Sequence, residues 1–485
     1  MLTPRRRLKS NHLRWAITLT VIIGIFGPFY LIFKQDDVGS VSFSENHMQS
    51  YSNVGRSLQD VHKQPQKTRT QEPAKGKKKH RILAPDKFIR PYTAIGGIFN
   101  SSGKIAEVAV TLTTSLVYSF SPFVENKVKK IFPDPVHQNV FYANSPAITW
   151  HNDQLVTVLR IWLEEERYEK REKPYNFFAD NYFYTQNFDG NFKPLTNGSL
   201  LGIPTTKAFG FGDGPIEPRM FKVYEKDGKE RLFVTFNTAV YFKDRTVIDY
   251  TMFWDFDNSE IIIPRITNGG VQPTKYGMPR DKHWAAFNLH GQLHFVHNLD
   301  PLRILRCTIK GVCSFIHKDD SGKNIKFKDN KSHLRGGTPF EHYSGKYYVG
   351  VAHGTFFKAP SWKRFYTTHL VVLHVEPFRI VYVSNDILVH HNILFSVPIV
   401  RARYIQDPFL FPVGIILEDP DTLYLGVHIS DYSSVLLRMR GLKNLMTKVI
   451  EADKNAQSTR GPVPWTLQNF VWKVTSSEKH KQFAT

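Results

Sequence analysis

Cysteine is almost absent from this chain, because Cys307 and Cys313 are the only two among 485 residues. Two cysteines without a neighbouring histidine pair do not supply the ligands of a structural zinc site, so that class of site is excluded. Lys310 and Gly311 between them predict a hairpin turn that brings the two side chains together. In an oxidising compartment we expect a disulfide; the alternative is two free thiols.

Helical periodicity is also scarce. Only Glu125 to Ile131 and Gly441 to Val449 show a modest helical pattern. Elsewhere beyond residue 90, short runs of aromatic and β-branched residues alternate with Gly, Asp, Asn and Pro turns, which is typical of strands. The predicted strands include Gln154 to Trp162, Arg231 to Asn237, Gln292 to His297, Lys346 to Ala352 and Thr422 to His428. The aromatic content of 14% favours the same mostly-β class.

Acidic residues are fewer than basic ones, and the formal net charge is +21. Residues 1–90 hold 17 Lys and Arg but only 6 Asp and Glu, so this segment carries +11 of the total. Its second half is rich in Ser, Gln, Lys and Pro and includes the basic cluster Lys75 to Arg81, a composition typical of disorder. Residues 91–485 therefore carry only about half of the net positive charge, and we expect no nucleic-acid partner.

One long hydrophobic run occurs, from Trp15 to Phe33, and it carries no charge over 19 residues. This length suffices for a membrane-spanning helix. Basic residues concentrate before it, so the positive-inside rule predicts a type II topology. We expect a cytosolic tail at 1–14, a signal-anchor at 15–33, a basic disordered stem at 34–90 and a lumenal domain at 91–475, in the Golgi. A cleaved signal peptide is the alternative.

The lumenal segment repeats one pattern: an apolar strand, a Gly or Asp turn, then a strand that ends in polar residues. The units start 54 to 73 residues apart, near Leu155, Pro218, Ala285, Pro339 and Pro412. Five such units predict a five-bladed β-propeller whose innermost strands deliver polar side chains to a central pocket. A two-sheet sandwich with long loops is the alternative.

The segment Gly212 to Arg219 concentrates features of a sugar site. Pro218 fixes its own backbone and favours an extended conformation for Glu217. Glu217 and Arg219 are therefore expected to project with little freedom at the start of a strand. The alternative is an ordinary turn with a local ion pair.

Three blocks stand out: Pro215 to Arg219, His294 to Cys307 with the second cysteine Cys313, and Leu334 to Pro339. They resemble the fungal β-mannosyltransferases of glycosyltransferase family 91, and the resemblance covers about residues 150 to 445. Five further blocks follow in order: Asp281 to Trp284, Tyr347 to Gly354, Tyr366 to Leu373, Phe411 to Gly414 and Gly426 to Asp431. Their order is similar to that of more distant relatives of family 91, the mannoside phosphorylases of glycoside hydrolase family 130, which are five-bladed propellers. One departure is that Ile216-Glu217 stands where those families usually have Glu-Asp.

The resemblance implies an inverting transfer of mannose from GDP-mannose to mannan or mannoside acceptors, in β-1,2 linkage, during cell-wall synthesis. Glu217 would be the catalytic base and Arg219 its catalytic partner, or only the holder of an ion pair. Asp431 would bind mannose hydroxyls. Residues implied to bind the donor phosphates are Lys282, His297, Arg335, His353 and Tyr366.

This interpretation requires no cofactor, and it does not favour a divalent metal at the donor diphosphate. Asp255-Phe256-Asp257 and Asp419-Pro420-Asp421 fit the Asp-x-Asp pattern of metal-dependent nucleotide-sugar transferases, but such short matches arise by chance. Two functions compete: a membrane-bound mannosyltransferase, and a membrane-tethered propeller that binds mannan or scaffolds other enzymes without chemistry. A lumenal phosphorylase that needs inorganic phosphate is a third.

The predicted topology places three Asn-x-Ser sequons in the lumen, at Asn100, Asn197 and Asn330. Endoglycosidase treatment of the expressed protein should therefore lower its apparent mass, and protease added from the cytosolic side should spare residues 91–485. An unchanged mass together with cytosolic cleavage of that segment would reverse the orientation.

Overall fold

Antiparallel β-strands make up most of the structure. The computed structural model describes residues 81–99, 105–131, 141–164, 179–203, 214–225, 228–241, 247–271, 280–319, 333–358, 363–399, 405 and 407–456. All of them belong to one compact unit that spans Lys78–Thr485. No helix among these residues is long and apolar enough to cross a membrane. The predicted span at 15–33 lies outside the described residues, as do most of the predicted stem and the sequons at Asn100 and Asn330.

The strands and helices follow the turn signals of the sequence. In chain order the strands are β1 (Lys87–Phe99), β2 (Ile105–Ser119), β3 (Phe141–His151), β4 (Gln154–Glu164), β5 (Ala179–Phe188), β6 (Ser199–Leu200), β7 (Ile216–Tyr224), β8 (Glu230–Tyr241), β9 (Val247–Asp255), β10 (Glu260–Ile262), β11 (Arg265–Ile266), β12 (Arg280–Asp281), β13 (Ala285–Leu289), β14 (Gln292–Leu299), β15 (Leu302–Cys307), β16 (Val312–Lys318), β17 (His333–Gly336), β18 (Glu341–Ser344), β19 (Tyr347–Lys358), β20 (Lys363–His374), β21 (Arg379–Asp386), β22 (Leu410–Asp419), β23 (Thr422–Ile429) and β24 (Ser433–Arg440). The helices are α1 (Ser121–Ile131), α2 (His391–Leu394) and α3 (Leu442–Ala456). Both predicted helices therefore exist, and each is longer than its periodicity indicated.

The described strands form four hydrogen-bonded sheets. Three are local, in the orders β3-β4-β5-β6, β10-β9-β8-β7 and β11-β16-β15-β14-β13. The fourth has ten strands and contains two antiparallel groups, β19-β20-β21 and β24-β23-β22, which the hairpin β1-β2 joins edge to edge. Across sheet boundaries, β7 contacts β3, β13 and β22, and β3 also contacts β22.

The sheets approach most closely where β22 and β23 meet β3. Gly414 and Gly426 pair with each other across β22 and β23. A methyl group on Gly414 would lie 2.7 Å from the carbonyl oxygen of Pro146, and one on Gly426 would contact the same oxygen. Glycine is required here because a backbone passes where a side chain would stand.

The fold begins before the predicted end of the stem at residue 90. Ile82 is buried, and its amide donates to Glu418 Oε1 at 2.9 Å. Arg438 Nη1 donates to Asp86 Oδ1 at 2.7 Å. These partners lie far along the sequence, so local composition gave no sign that residues 81–90 are tied to the folded domain.

Cys307 and Cys313 form a disulfide. They stand opposite each other in the antiparallel pair of β15 and β16, with a turn at Gly311 between them. Both sulfurs are buried in the hydrophobic cluster that includes Trp284 and Phe295. The bond therefore ties the two strands together next to that cluster.

The close approach of β23 to β3 predicts that Gly426→Ala destabilises the protein by about 1–3 kcal/mol, because the added methyl meets backbone. Urea unfolding of the purified protein measures this change. Gly202→Ala is the matched control, since a methyl group there has only Trp254 at 3.7 Å. Equal stability of the two variants would contradict the packing.

Candidate active site

Glu217 lies at the start of β7 in an unusual backbone conformation. Its φ angle is 55°, whereas the sequence predicted an extended residue before Pro218. The pairing of β7 with β8 shifts register between Ile216 and Arg219, which marks a bulge. Arg219 Nη1 also donates to the carbonyl oxygen of Glu217 at 2.9 Å. The bulge and this hydrogen bond hold a strained conformation, which is a common property of functional residues.

The carboxylate of Glu217 is enclosed by three polar partners, from β8 and from the segment that follows β12. Asn237 Nδ2, on β8, donates to Oε2 at 3.0 Å. Lys282 Nζ, which follows β12, lies 3.4 Å from Oε1. His283 Nδ1 lies 3.1 Å from Oε2. The side chain of Glu217 keeps 14% of its surface exposed, so a substrate hydroxyl has access to it.

Burial raises the pKa of Glu217, but the electrostatic effects of Lys282, Arg219, Arg160 and His428 outweigh burial and hold it below its ordinary value. Glu217 is therefore a carboxylate at neutral pH. An ionised carboxylate can accept a proton, which a general base must do.

Arg219 is fully buried and acts on the backbone around the site. Its Nε donates to the carbonyl oxygen of Gly337, and its Nη2 lies 3.9 Å from Glu217 Oε2. Burial lowers the pKa of Arg219, while Glu217 raises it. The guanidinium group of Arg219 thus orients Glu217. It also joins β7 to Gly337, in the segment after β17.

His283 connects the arginine to the carboxylate. Its Nδ1 lies 3.2 Å from Arg219 Nη2 as well as 3.1 Å from Glu217 Oε2. In one tautomer it accepts from the arginine, and in the other it donates to the carboxylate. Burial, together with the nearby cations Lys282, His353, Arg219 and Arg335, holds the pKa of His283 well below its ordinary value, so the ring is neutral.

A second carboxylate shares Lys282 with Glu217. Asp249 Oδ2, on β9, lies 3.9 Å from Lys282 Nζ and is buried. Burial raises the pKa of Asp249, Lys282 lowers it and Glu217 raises it further, so that the pKa lies above its ordinary value. The two carboxylates are thus driven in opposite directions by their surroundings, as in many acid–base sites.

Two arginines extend the positive charge beyond Lys282. Burial lowers the pKa of Arg335, on β17, and so does the guanidinium of Arg280, while Glu217, Asp249 and Asp281 raise it. Guanidinium groups keep their proton at neutral pH regardless. Arg280 and Arg335 therefore form, with Lys282, a group of cations that suits an anionic ligand.

Aromatic rings connect this cationic group to the predicted sugar residue. The rings of His283 and His353 lie 4.8 Å apart, and His353 lies 4.4 Å from Phe411. Phe411 stacks on His428 at 4.9 Å. His428 Nδ1 accepts from the amide of Asp431 at 3.2 Å. A continuous wall thus runs from Glu217 to Asp431, whose own φ angle of 60° is also left-handed.

Tyr366 lies at the edge of the same wall. Its ring is 4.6 Å from that of Phe409 and 6.2 Å from that of Phe411. Arg364 Nη1 donates to its hydroxyl at 3.4 Å. The structure therefore brings six of the predicted site residues to one connected region, namely Glu217, Arg219, Lys282, Arg335, His353 and Tyr366, with Asp431 at its far end.

His297 contacts Asp281, the residue that precedes Lys282. Its Nε2 lies 2.7 Å from Asp281 Oδ1, which also accepts from Trp284 Nε1 at 2.8 Å. The ring of His297 packs against Trp284 and Phe315. The structure thus places His297 against Asp281, the residue before Lys282; the phosphate contact that the resemblance implied stays a prediction.

Both Asp-x-Asp motifs lie in turns and bond to backbone amides. Asp255 Oδ1 accepts from the amide of Asp257, and Asp255 also pairs with Arg231. Asp419 Oδ1 accepts from the amides of Asp421 and Thr422. No group of three or more potential metal ligands occurs within the described ranges. Each first aspartate therefore has a structural role of its own.

Sequence reasoning missed Asn237, Asp249, His283 and His428. His283 and His428 stand within blocks that carried the resemblance, so their position was available although their contacts were not. Asn237 ends a predicted strand, and Asp249 has no local motif. The pairing of β7 with β8 sets Asn237 opposite Ile216, next to Glu217, and the pairing of β8 with β9 places Asp249 on the adjoining strand.

Comparison with known proteins assigns no family to the chain. A scan of protein families and a search of curated proteins both find no match. Among solved structures, the chain is similar to one from a study of mannoside phosphorylases and β-1,2-mannosidic hydrolases of family 130 (11% identity, 61% of this chain, 84% of the other, TM-score 0.38). It is similar to MPT-1, a GDP-Man-dependent mannosyltransferase from Leishmania mexicana (12% identity, 65% of this chain, 93% of the other, TM-score 0.37). It is also similar to MPT-4, a mannose phosphorylase from Leishmania mexicana (10% identity, 68% of this chain, 95% of the other, TM-score 0.35).

The opposite pKa shifts of Glu217 and Asp249 predict opposite effects on stability. A lowered folded-state pKa means that the charge of Glu217 stabilises the fold above its ordinary pKa, and that this stabilisation is lost as pH falls through the folded-state pKa. A raised folded-state pKa means that the charge of Asp249 costs stability above that pKa. At pH 8, Glu217→Gln should destabilise the protein by about 1–3 kcal/mol, whereas Asp249→Asn should be neutral or stabilising.

Urea unfolding between pH 3 and pH 8 measures both variants. The difference between Glu217→Gln and the parent should shrink toward the acid end, as the carboxylate of the parent becomes protonated. Glu260→Gln, a change at an exposed carboxylate, is the control and should have no effect at any pH. Destabilisation of equal size by Glu217→Gln and Asp249→Asn at pH 8 would contradict the assigned environments.

Proposed function

We propose that the protein is an inverting β-mannosyltransferase that transfers mannose from GDP-mannose to mannan or other mannoside acceptors in β-1,2 linkage, in cell-wall glycan synthesis. The observation that carries this proposal is the carboxylate of Glu217, which contacts Lys282 at 3.4 Å and stays ionised at the edge of a group of cations. An inverting displacement needs one base and a means to stabilise the leaving diphosphate. The donor sugar, acceptor and linkage come from the sequence resemblance.

In the proposed reaction, Glu217 takes the proton of the acceptor hydroxyl. The oxygen electron pair forms the new bond to the anomeric carbon, and the bond from that carbon to the diphosphate oxygen breaks with its electrons on the leaving group. Because the donor is α-linked and attack comes from the opposite face, the product is β-linked. Arg219 and Asn237 hold Glu217 in place for this step.

The leaving diphosphate would lie against Lys282, Arg335 and Arg280, with His353 and Tyr366 lining the same side. Side-chain cations can stabilise the charge that develops on a departing phosphate. The proposal therefore requires no cofactor. Asp431 would accept hydrogen bonds from mannose hydroxyls at the other end of the aromatic wall.

Donor binding would also activate the base. Lys282 contacts Glu217 Oε1 at 3.4 Å in the unliganded site, and a diphosphate competes for the same ammonium group. A nearby anion raises the pKa of a carboxylate, as does the loss of a cation. Glu217 thus becomes more basic when the donor is in place, which limits proton uptake to the productive complex.

The proposed architecture is a five-bladed propeller in a type II Golgi membrane protein. The contacts of β7 with β3, β13 and β22, and of β3 with β22, support innermost strands around a centre, with the ten-stranded sheet counted as two blades joined by β1 and β2. The membrane anchor and lumenal orientation rest on the sequence alone, from the basic residues that precede the apolar run.

Two other functions have distinct signatures. A phosphorylase would use the same cations to bind inorganic phosphate and would cleave mannosides only when phosphate is present. A non-catalytic mannan-binding protein or scaffold would bind mannan, but it would neither transfer mannose from GDP-mannose nor cleave mannosides with phosphate. Proton NMR of the product's anomeric centre, after incubation with GDP-mannose or with phosphate, separates the three.

We expect Glu217→Gln to lower transfer from GDP-mannose by roughly 100-fold or more while donor binding changes little, because the shape is kept and the basicity is lost. Steady-state kinetics and donor titration measure the two effects. Lys282→Ala and Arg335→Ala should differ by weakening donor binding as well as the rate, since their role is toward the diphosphate.

Glu260→Gln is the matched control for Glu217→Gln and should leave kcat and KM unchanged. Near-normal turnover by Glu217→Gln would exclude it as the base. Absence of turnover by the parent protein with GDP-mannose, alongside phosphate-dependent cleavage of mannosides, would replace the transferase with a phosphorylase.

A further inference from the structure

Asp249 is a buried carboxylate with little to stabilise its charge. Its side chain is only 8% exposed. No hydrogen bond to its carboxylate occurs among the residues that the structure describes, and its one ion pair within them joins Oδ2 to Lys282 Nζ at 3.9 Å. Buried charges normally have a partner and several hydrogen bonds, because a charge is costly to keep without them. The charge of Asp249 therefore depends on Lys282.

Asp249 lies on the side of β9 that faces the candidate site. Thr251 is two residues further along this strand, and alternate residues of a strand share one face. The hydroxyl of Thr251 donates to Asn237 Oδ1 at 3.0 Å, and Asn237 Nδ2 donates to Glu217 Oε2 at 3.0 Å. Asp249 and Glu217 therefore contact Lys282 from two strands of the same sheet.

The two carboxylates differ in what remains when Lys282 moves away. Glu217 keeps the hydrogen bond from Asn237, and Arg219 Nη2 lies 3.9 Å from its Oε2. Asp249 keeps no hydrogen bond or ion pair with the described part of the chain. Loss of the lysine contact thus leaves Glu217 supported and Asp249 without a partner. A buried carboxylate without a partner takes up a proton, because the neutral acid costs less to bury than the charge.

Four charged groups, from three sides, act on Asp249. Burial raises its pKa most. Lys282 and Arg280, in and after β12, and Arg335, on β17, lower the pKa, whereas Glu217, on β7, raises it. The balance lies above the ordinary value for aspartate. An anion bound to the three cations would offset the charges that lower the pKa, and the pKa of Asp249 would rise further.

We propose that Asp249 takes up a proton from solvent when an anionic ligand binds the group of cations, so that Lys282 turns to the ligand while Glu217 stays ionised. One O–H bond forms on Asp249, and the proton returns to solvent when the anion leaves. Asp249 acts through Lys282 and touches neither donor nor acceptor, which makes it a positioning residue. The identity of the anion as a sugar-nucleotide diphosphate rests on the proposed function; the link between anion binding and Asp249 does not.

This coupling solves an electrostatic conflict in the site. Two charged carboxylates that share one lysine would repel an incoming anion. Neutralisation of Asp249 removes one of these negative charges and frees the lysine at the same time. Glu217 keeps the charge that a general base needs, because its other partners do not depend on Lys282.

The test is isothermal titration calorimetry of the purified protein with GDP-mannose, without acceptor, and separately with sulfate. Neither anion titrates near pH 7, so the protons exchanged belong to the protein. Titrations in buffers of different ionisation heat give the number of protons taken up, which should approach one per anion. The affinity should fall as pH rises from 6 to 8, by at most about tenfold per pH unit, because one proton is linked to binding.

Asp249→Asn should abolish the proton uptake and make the affinity independent of pH. At pH 8 it should bind each anion roughly 3- to 10-fold more tightly than the parent, since no carboxylate charge at this position opposes the anion. Glu217→Gln should retain the uptake, which places the proton on Asp249. Asp257→Asn is the matched control, because Asp257 is an exposed aspartate in the turn after β9, and it should behave as the parent.

Urea unfolding should show that all three variants are folded. Proton uptake that persists in Asp249→Asn would place the proton on a histidine of the aromatic wall and overturn the proposal. Loss of the uptake in Glu217→Gln, or its absence in the parent, would overturn it as well. Asp249-dependent uptake with sulfate, in a protein that neither binds GDP-mannose nor transfers mannose, would uphold the role of Asp249 and refute the transferase.

Discussion

The candidate site depends on one constraint: a largely buried carboxylate stays ionised only if cations and hydrogen-bond donors surround it. Glu217 meets this condition through groups on separate elements. Arg219 comes from its own strand, Asn237 from β8, and Lys282 and His283 from the segment after β12. None of these groups could be placed without the pairing of β7 with β8 and of β12 with β9. The strand pairing of the fold therefore brings these groups together around the carboxylate of Glu217.

The same constraint has a cost for catalysis, because a carboxylate that its neighbours hold below its ordinary pKa is a weaker base. The contact of Lys282 with Glu217 offers a way to raise this pKa. Lys282 is shared between Glu217 and Asp249, and it stands next to Arg335 and Arg280 in the group of cations. An anionic donor that attracts Lys282 would lessen its hold on Glu217. Under the proposed function, donor binding and base activation are one event.

Much of the strand content could be predicted from the sequence, because alternating apolar residues and Gly or Asp turns are local signals. The predicted strands at Gln154, Arg231, Gln292, Lys346 and Thr422 fall in β4, β8, β14, β19 and β23. The conformation of Glu217 was predicted wrongly. The preference that Pro218 imposes is local, and the bulge against β8 with the bond from Arg219 overrides it. Asp249 and Asn237 have no local signature, since only long-range pairing gives them a role.

The most direct measurement of the central claim is the ionisation of Glu217 itself, followed by ¹³C NMR of the carboxyl carbons in protein labelled at glutamate and assigned with Glu217→Gln. In the free protein, the pKa of Glu217 should lie below the ordinary value for glutamate. With GDP bound, it should rise, because the diphosphate adds negative charge and competes for Lys282. A pKa at or above the ordinary value in the free protein, or one that GDP leaves unchanged, would contradict the account.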